Sequence, residues 1–483
     1  MYRRTIVSIF KNERSAQGWT LALTSMASLM VALDGLVVAT ALGTIRVDLH
    51  ASIESLQWTV NSYTLTLAVL LMAAAGLGDR LGRRRMFAVG LAIFTAASIA
   101  CALATSAALL IAARAVQGVG GALVVPLALS LLSHAFPIEK KARAIGVYSG
   151  ITGLAVAGGP VVGGAIAQGL DWQWIFWINV PIGIVLIPLV LSRVEESHGS
   201  DTSLDIVGAL LSTGAGFGVV WGLVRGNSSG WGSAEVIGTL AAGVVLAGLF
   251  VGWEMRARVA MMPTRMFRSR SFSAGNVANF ALYASLFGTV FFAAQFFQSA
   301  QGLGPMSAGI RLIAWTATLF FVAPLAGAAV ERVGLRPLVV CGLFLQSVGL
   351  AWIAIIADVD LSYPALILPF IVGGAGTSMA MPAVQAAVMS SVDGANVGKA
   401  SATFNMLRQL GSAVGIAVVV ATFAAKGGYD TAGMFVDGFR PAIGVASAIA
   451  LIGAIAGIAI PPMRRVVPEK MSTDAVVPEK EAV

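Results

Sequence analysis

The chain has 483 residues, of which 57% are hydrophobic and only 11% charged, and its mean hydropathy is +0.86. That composition excludes a soluble globular domain and a disordered chain, and leaves a polytopic membrane protein. The formal charge of +8 is scattered over many short polar segments, a distribution that reports membrane topology and gives no support to nucleic-acid binding.

Taken in chain order, residues 1–18 read as a polar N-terminal tail. Fourteen apolar runs follow, beginning near Trp19, Gln57, Arg85, Ala107, Ala142, Ile175, Leu204, Ala234, Phe272, Ser307, Pro337, Leu361, Ala402 and Asp437. Each is long enough to cross a hydrocarbon core as a helix, which takes about 20 residues. They are apolar all round, without the alternation of a barrel strand, so an all-α fold is expected. The first run continues past residue 40 with Asp34 inside it, and so reads as a retained helix and not a cleaved signal. Cys101 and Cys341 both fall in apolar runs, where core packing is expected and a disulfide framework is not.

The runs divide into a six-helix bundle at 19–193, linkers and an inserted helix pair at 194–271, and a second six-helix bundle at 272–461. Two echoes support the division. Asp79-Arg-Leu-Gly-Arg-Arg-Arg85 recurs as Glu331-Arg-Val-Gly-Leu-Arg-Pro337, and Gly118-Val-Gly120 with Pro126 recurs as Gly374-Ala-Gly376 with Pro382 at nearly the same offset. Parallel repeats of this kind suit a transporter whose site lies between two halves. Residues 462–483 turn polar, carry Val-Val-Pro-Glu-Lys twice, and read as a disordered tail.

With the N-terminus placed in the cytoplasm, alternate segments carry most of the 31 lysines and arginines, and the opposite segments carry only Arg46, Arg225, Arg311, Lys426 and Arg440. The positive-inside rule then puts both termini in the cytoplasm of a bacterial plasma membrane. Arg114 and Arg408 are left over inside spans.

Asp34 is the one acidic residue deep in an apolar run, and an intramembrane carboxylate is a functional candidate by default. Counting 1.5 Å per residue, Asp34 and Arg114 fall at similar depth in the outer half of the membrane, about 22 Å from the cytoplasmic face for Asp34. They are expected to meet or share a water. Burial raises a carboxylate pKa and a neighbouring arginine lowers it, so such a pair can respond to which side of the membrane it faces. Gly153, Gly158, Gly159, Gly163 and Gly164 flank Pro160 and give one helix a groove for close contact, with a bend at the proline.

The stretch Gly76-Leu-Gly-Asp-Arg-Leu-Gly-Arg-Arg-Arg85 resembles the signature loop between helices 2 and 3 of major facilitator transporters, with Gly76, Asp79, Arg80, Gly82, Arg83 and Arg84 at matching positions. Arg114 with Gln117 and the glycines after it is similar to the family motif linked to proton transfer. The Gly153 to Gly164 stretch resembles the glycine-proline motif of the antiporters. Trp172-Gln-Trp-Ile-Phe-Trp-Ile-Asn179-Val-Pro181, together with Gln57, Trp58 and Tyr63, resembles the fourteen-helix drug:proton antiporters. Leu36, Ala39, Gly43 and Gln173 depart from that pattern, and a polar shell around Asp34 thinner than the family's is expected.

The resemblance implies an antiporter that exports a small lipophilic or cationic compound in exchange for protons, with Asp34 and Arg114 coupling the proton and the loop and helix 5 glycines gating the halves. Substrate-cavity candidates are Gln117, Asn279, Tyr283, Gln295 and Arg408; Arg408 either faces the cavity or snorkels to the interface. No Walker loop is present, so the proton motive force and not ATP is the expected drive, with no cofactor. His50, His134 and His198 are too dispersed for a metal site or an enzyme's catalytic set. A dedicated exporter of one metabolite or self-made antibiotic, and a membrane sensor that no longer transports, remain as alternatives. The oligomeric state is not legible.

Overall fold

The computed structural model describes residues 2–198, 205–257, 262, 264–392 and 397–462, and every regular element among them is helical. Residues 463–483, most of the stretch read as a disordered tail, lie outside the described residues. The first half contains α1 (Tyr2–Asp48), α2 (Ile53–Leu81), α3 (Arg83–Ala102), α4 (Ala107–Ala135) and α5 (Ile138–Gly169), and a final traverse in two pieces, α6 (Trp174–Trp177) and α7 (Asn179–Arg193). The inserted pair is α8 (Ile206–Ser229) and α9 (Ala234–Glu254). The second half runs through α10 (Arg270–Gln295), which continues as a π-helical turn over Phe296–Ala300, then α11 (Pro305–Arg311), α12 (Ile313–Thr316) and α13 (Thr318–Val333), three pieces of one traverse. It ends with α14 (Leu335–Ile356), α15 (Tyr363–Met389), α16 (Val397–Lys426) and α17 (Ala432–Ile458).

Among the described residues twelve helices are long and apolar enough to cross a membrane, or thirteen with the bent α2 counted as one span. Together with α5, a helix of 32 residues, this is compatible with the fourteen expected. The first helix begins at Tyr2, ahead of the expected Trp19, because no glycine or proline interrupts the chain before Gly18. Its apolar part is Ser15–Asp48. Several starts are capped by side chains: Ser52 accepts from Ser55 N, Ser106 from Leu109 N, Asp205 from Gly208 N and Ser233 from Val236 N.

Both sequence echoes have a structural cause. Gly82 ends α2 with φ of 105° and Gly334 ends α13 with φ of 89°. Each makes a one-residue link between helices in a backbone region that a side chain would strain. In the second echo, a Cβ at Gly118 would lie 2.6 Å from Tyr63 O, and one at Gly120 would lie 2.6 Å from Phe94 N. At Gly374 it would lie 2.5 Å from Trp315 O, and Gly376 presses equally hard on Gln346 and Gly342. These glycines let α4 touch α2 and α3, and let α15 touch α12 and α14. The packing partners repeat accordingly: α1 with α5, α2 with α4 and α3 with α7 in the first half match α10 with α16, α13 with α15 and α14 with α17 in the second.

The inserted pair closes on itself through Gly218 and Gly243, where a Cβ at Gly243 would lie 2.7 Å from Val219 N. α8 also lies across the seam between the halves. Leu65 and Val69 of α2, Val220 and Val224 of α8, and Ala413 and Ala417 of α16 share one buried cluster. Trp58 of α2 packs on Phe217 and Trp221 of α8 with ring centroids 6.2 and 5.4 Å apart. Arg225 of α8 ties to Glu54 of α2 at 3.1 Å and to Glu235 of α9 at 3.0 Å. Cys101 is buried as expected, but Cys341 is exposed. It sits on a stripe of α14 with the exposed Phe344, Val348, Trp352 and Ile355, where the solvent is hydrocarbon and a thiol is tolerated without a core around it.

The glycine contacts lead to a paired outcome. Gly120→Leu has no room, since its Cβ already meets backbone at 2.6 and 2.8 Å, and overpacking of this kind costs about 1–3 kcal/mol or more. Gly238→Leu on α9 meets nothing within 4 Å. Thermal melts of the detergent-purified variants should show a clear loss for the first and none for the second.

Candidate functional site

The first half is organised around a buried ion pair. The side chains of Asp34 on α1 and Arg114 on α4 are both 0% exposed, and Arg114 Nη1 donates to Asp34 Oδ2. The same Nη1 reaches Gln117 Oε1 at 2.7 Å, and Nε donates to the Thr59 carbonyl at 3.2 Å. The face of the guanidinium lies 4.2 Å from the Tyr63 ring centroid and 5.7 Å from that of Phe176. The other carboxylate oxygen, Asp34 Oδ1, accepts from Gln117 Nε2 at 2.8 Å and Asn179 Nδ2 at 2.9 Å. Ser98 Oγ accepts from Gln117 Nε2 at 2.9 Å, and Tyr63 OH donates to the Val31 carbonyl at 3.0 Å. Helices α1 to α4, α6 and α7 therefore meet at one charge pair.

The depth estimate put Asp34 and Arg114 together, and the structure does so. The polar shell expected to be thin is thin on α1 but filled from other helices. Leu36 packs against Gly159 and Ala39 is buried apolar surface, so α1 supplies little. The shell comes instead from Ser98 of α3, Gln117 of α4 and Asn179 of α7. Arg114 and Gln117 share a helix face at three-residue spacing, which was legible. Asn179 stood in a recognised segment but was not read as a site residue, although a polar amide at the head of an apolar run is a usable signal. Ser98 carried no signal, because an apolar helix can satisfy a serine on its own backbone, as Ser98 also does with Phe94 O at 2.8 Å.

At one end of the half, the α2–α3 link is clamped. Asp79 pairs with Arg83 at 2.7 Å one turn away, Gly76 is half-buried in α2 and Arg80 is exposed. The start of α3 is capped by Glu196, which follows α7: its carboxylate accepts from Arg84 N at 2.8 Å and Arg85 N at 3.3 Å, placing negative charge on a helix N-terminus. Glu196 packs against Gly82, where a Cβ would lie 2.9 Å from it. It was not among the residues singled out from sequence, because its partners lie more than 100 residues away.

At the opposite end the two halves touch. Gln298 Nε2 donates to the Thr40 carbonyl at 2.9 Å, Met306 N donates to Gln168 Oε1 at 3.0 Å, and Gln57 Nε2 lies 3.5 Å from the Ala417 carbonyl. Gly43 makes room for Gln298, whose Oε1 would meet a Cβ there at 2.7 Å. Arg46 lies 4.3 Å over the Tyr429 ring, and Tyr429 OH donates to Gln295 Oε1. Burial raises the Tyr429 pKa while the Arg46 charge opposes the rise, and the phenol stays the donor. On α5, Gly159 and Gly163 press on Leu36, Val37 and Thr40 of α1, and Gly164 presses on Pro305 of α11 across the seam. Gly158 faces open space. The side-chain surroundings of Gly153 and Pro160 lie outside those described.

The cavity candidates divide. Gln117 belongs to the ion-pair network, and Gln295 to the Tyr429 contact. Asn279 is buried and donates to the Phe404 carbonyl at 2.8 Å, so it joins α10 to α16. Tyr283 is 9% exposed. Arg408 is half-buried with its guanidinium 5.4 Å from the Tyr283 ring, so it turns inward and does not snorkel. Among the described residues no cluster of His, Cys, Asp or Glu is placed to hold a metal.

Two repeated helical halves around intramembrane charges define a multi-pass membrane protein of the transporter class. A sequence model of the Major Facilitator Superfamily matches residues 24–275 and 275–478, and the chain belongs to that superfamily. It is 35% identical over 445 residues to the tetracenomycin C resistance and export protein of Streptomyces glaucescens, covering 92% of this chain and 82% of that one. It is 34% identical to the multidrug resistance protein Stp of Mycobacterium tuberculosis, covering 84% and 76%, and 34% identical to the methylenomycin A resistance protein of Streptomyces coelicolor, covering 81% and 82%. Among solved structures it shares the fold of a D-xylose-proton symporter, with a TM-score of 0.67 at 15% identity over 92% of this chain and 98% of that one.

The ion pair predicts strong non-additivity. Removing one partner leaves a buried charge alone, which costs about 3–5 kcal/mol. Asp34→Asn and Arg114→Gln should each lower the melting temperature markedly, and the double variant should lose much less than the sum. Additive losses in a thermal double-mutant cycle would show that the two charges do not interact.

Proposed function

We propose that this chain is an antiporter of the plasma membrane that exports lipophilic compounds, drugs and antibiotics among them, in exchange for protons. Its basic end faces the cytoplasm, both termini with it. The observation that carries the reading is the Asp34–Arg114 pair: a sealed, hydrogen-bonded charge pair in a half whose polar ties to the other half, among the described residues, lie at the end away from the α2–α3 link. In this arrangement the outer seam is closed and Asp34 is shielded. Opening the seam moves Gly164 off Pro305 and Thr40 off Gln298. It lets water reach α1, and a proton from outside neutralises the carboxylate. Arg114 then leans on Gln117 and the Tyr63 ring, both already in contact with it. Reclosure and opening at the basic end return the proton to the cytoplasm while the substrate leaves in the other half-cycle.

The drive is sufficient without ATP or a cofactor. One charge crossing 100 mV supplies about 2.3 kcal/mol. Relatives named for drug and antibiotic resistance support export as the direction. The cationic bias expected from sequence loses its carrier, because both oxygens of Asp34 are already occupied by the protein itself. The names of the tetracenomycin and methylenomycin proteins also favour a second reading, a transporter dedicated to one antibiotic. A substrate panel separates the two.

Accumulation of a fluorescent drug in inverted vesicles tests the main reading. Wild type should accumulate it on acidifying the lumen and stop with a protonophore, and Asp34→Asn at equal expression should lose at least about tenfold in rate, the scale of losing a positioned proton-transfer group. Full proton-driven uptake by Asp34→Asn moves coupling elsewhere. In the same assay Gly164→Val, which has no space against Pro305, should slow turnover while leaving the Asp34 network intact.

A further inference from the structure

Arg408 is an interior arginine that the coupling network does not use. It lies eleven residues into α16 from Val397, about 16 Å along the helix. Tyr283 on α10 and Tyr148 on α5 start from the same end and fall at similar depth, near the middle of the membrane. The guanidinium sits 5.4 Å over the Tyr283 ring, and α16 packs along α2 of the opposite half, whose α5 carries Tyr148 at that depth with its OH donating to Ser28 Oγ at 2.8 Å. It therefore stands at the seam between the halves and away from lipid.

Its hydrogen bonding is empty. Arg114 has a carboxylate partner and acceptors on Nε and Nη1, with only Nη2 unmet, whereas Arg408 Nε is buried with no partner, and no acceptor or carboxylate among the described residues reaches the rest of the group. A half-buried guanidinium has five N–H donors in a planar fork, and leaving them unmet at mid-membrane is costly. The position is nevertheless fixed. Asn279 donates to the Phe404 carbonyl at 2.8 Å, and Gly411 lies one turn further along α16 against the backbone of Phe280, so α10 and α16 hold Arg408 over Tyr283. One turn along α10, Phe287 is half-buried with its ring centroid 6.4 Å from that of Tyr283. A cation with an open fork beside a wall of two rings has the donors for a planar anion and the apolar face for the ring that carries it.

We propose that Arg408 anchors the acidic group of an aromatic substrate, with Tyr283 and Phe287 as the wall for its rings and Tyr148 closing from the other half. The substrate class is then lipophilic aromatic acids, with a carboxylate or an acidic hydroxyl, and not cations, which the unneutralised charge repels. This inference rests on the export reading for the purpose of the site, but its test does not depend on transport.

The experiment measures equilibrium binding of pyrenebutyrate, pyrenebutyramide and pyrenebutylamine to full-length protein in proteoliposomes, corrected against protein-free liposomes. Wild type should bind the carboxylate at least about tenfold more tightly than the amine. Arg408→Gln should bring carboxylate binding down to that of the amide while the amide is unchanged, and Arg408→Lys should restore part of the preference. Equal binding of all three by wild type overturns the proposal, as does a carboxylate preference that survives Arg408→Gln. Should Arg408→Gln lose amide binding as well, a sign of misfolding, the wild-type ranking and Arg408→Lys decide by the same criteria. Carboxylate-selective, Arg408-dependent binding with no proton-driven transport of any probe supports the anchor and overturns the exporter reading. Transport of the amine in preference to the carboxylate keeps export and overturns the anchor.

Discussion

Two opposite charges without exposed surface are tolerable inside a membrane only if each is met by the other and by enough hydrogen bonds to replace water. The Asp34–Arg114 pair meets most of that condition by drawing on Thr59, Ser98, Gln117 and Asn179 from four separate helices, with Arg114 Nη2 left as an unmet donor. The helices that supply them cannot drift apart without stranding a charge, so the first half moves as a unit. A hydrocarbon solvent gives little hydrophobic drive between helices, and this polar centre and the glycine contacts together do the work that an apolar core does in water.

The glycines carry the second constraint. Backbone approaches of the kind seen at Gly118 and Gly120 are possible only where no Cβ intervenes, and the same spacing at Gly374 and Gly376 gives the second half the same neighbours. That is why the repeat was legible from two short echoes: the residues that recur are the ones that set which helices touch. Asp34 and Arg114 were legible for a related reason. Charge inside an apolar run is rare enough to stand out, and helical rise alone puts the two at one level.

Other parts were illegible because their cause is not local. Glu196 reads as one more acidic residue in a linker until the fold brings it to the start of α3. Ser98 and Thr59 are ordinary residues of apolar helices, and Thr59 contributes only its carbonyl. The shell around Asp34 was misjudged because the residues beside it on α1 were weighed, whereas a side chain in a bundle is surrounded mainly by other helices. The inserted pair was found as two spans, but its place over α2 and α16 follows from complementarity between Trp58, Phe217, Trp221 and the small residues Ala413 and Ala417, which no spacing within α8 announces.

Strong and weak contacts are distributed unevenly between the first half and the seam. Within the first half the ties are charged, buried and many. Across the seam the polar ties are a few amide hydrogen bonds to main-chain or amide acceptors and a cation over a ring, all at one end, and the rest is apolar packing such as that of α2 on α16 and of Gly164 on Pro305. The inserted α8 touches both sides unequally. It is ionically tied to α2 through Arg225 and Glu54, and meets α16 through alanines and aliphatic side chains that offer nothing to hold it in register. A helix fastened by charge to one half and only in apolar contact with the other covers the seam without an ionic tie across it among the described residues, so the contacts of the extra pair are as unequal as those of the seam itself.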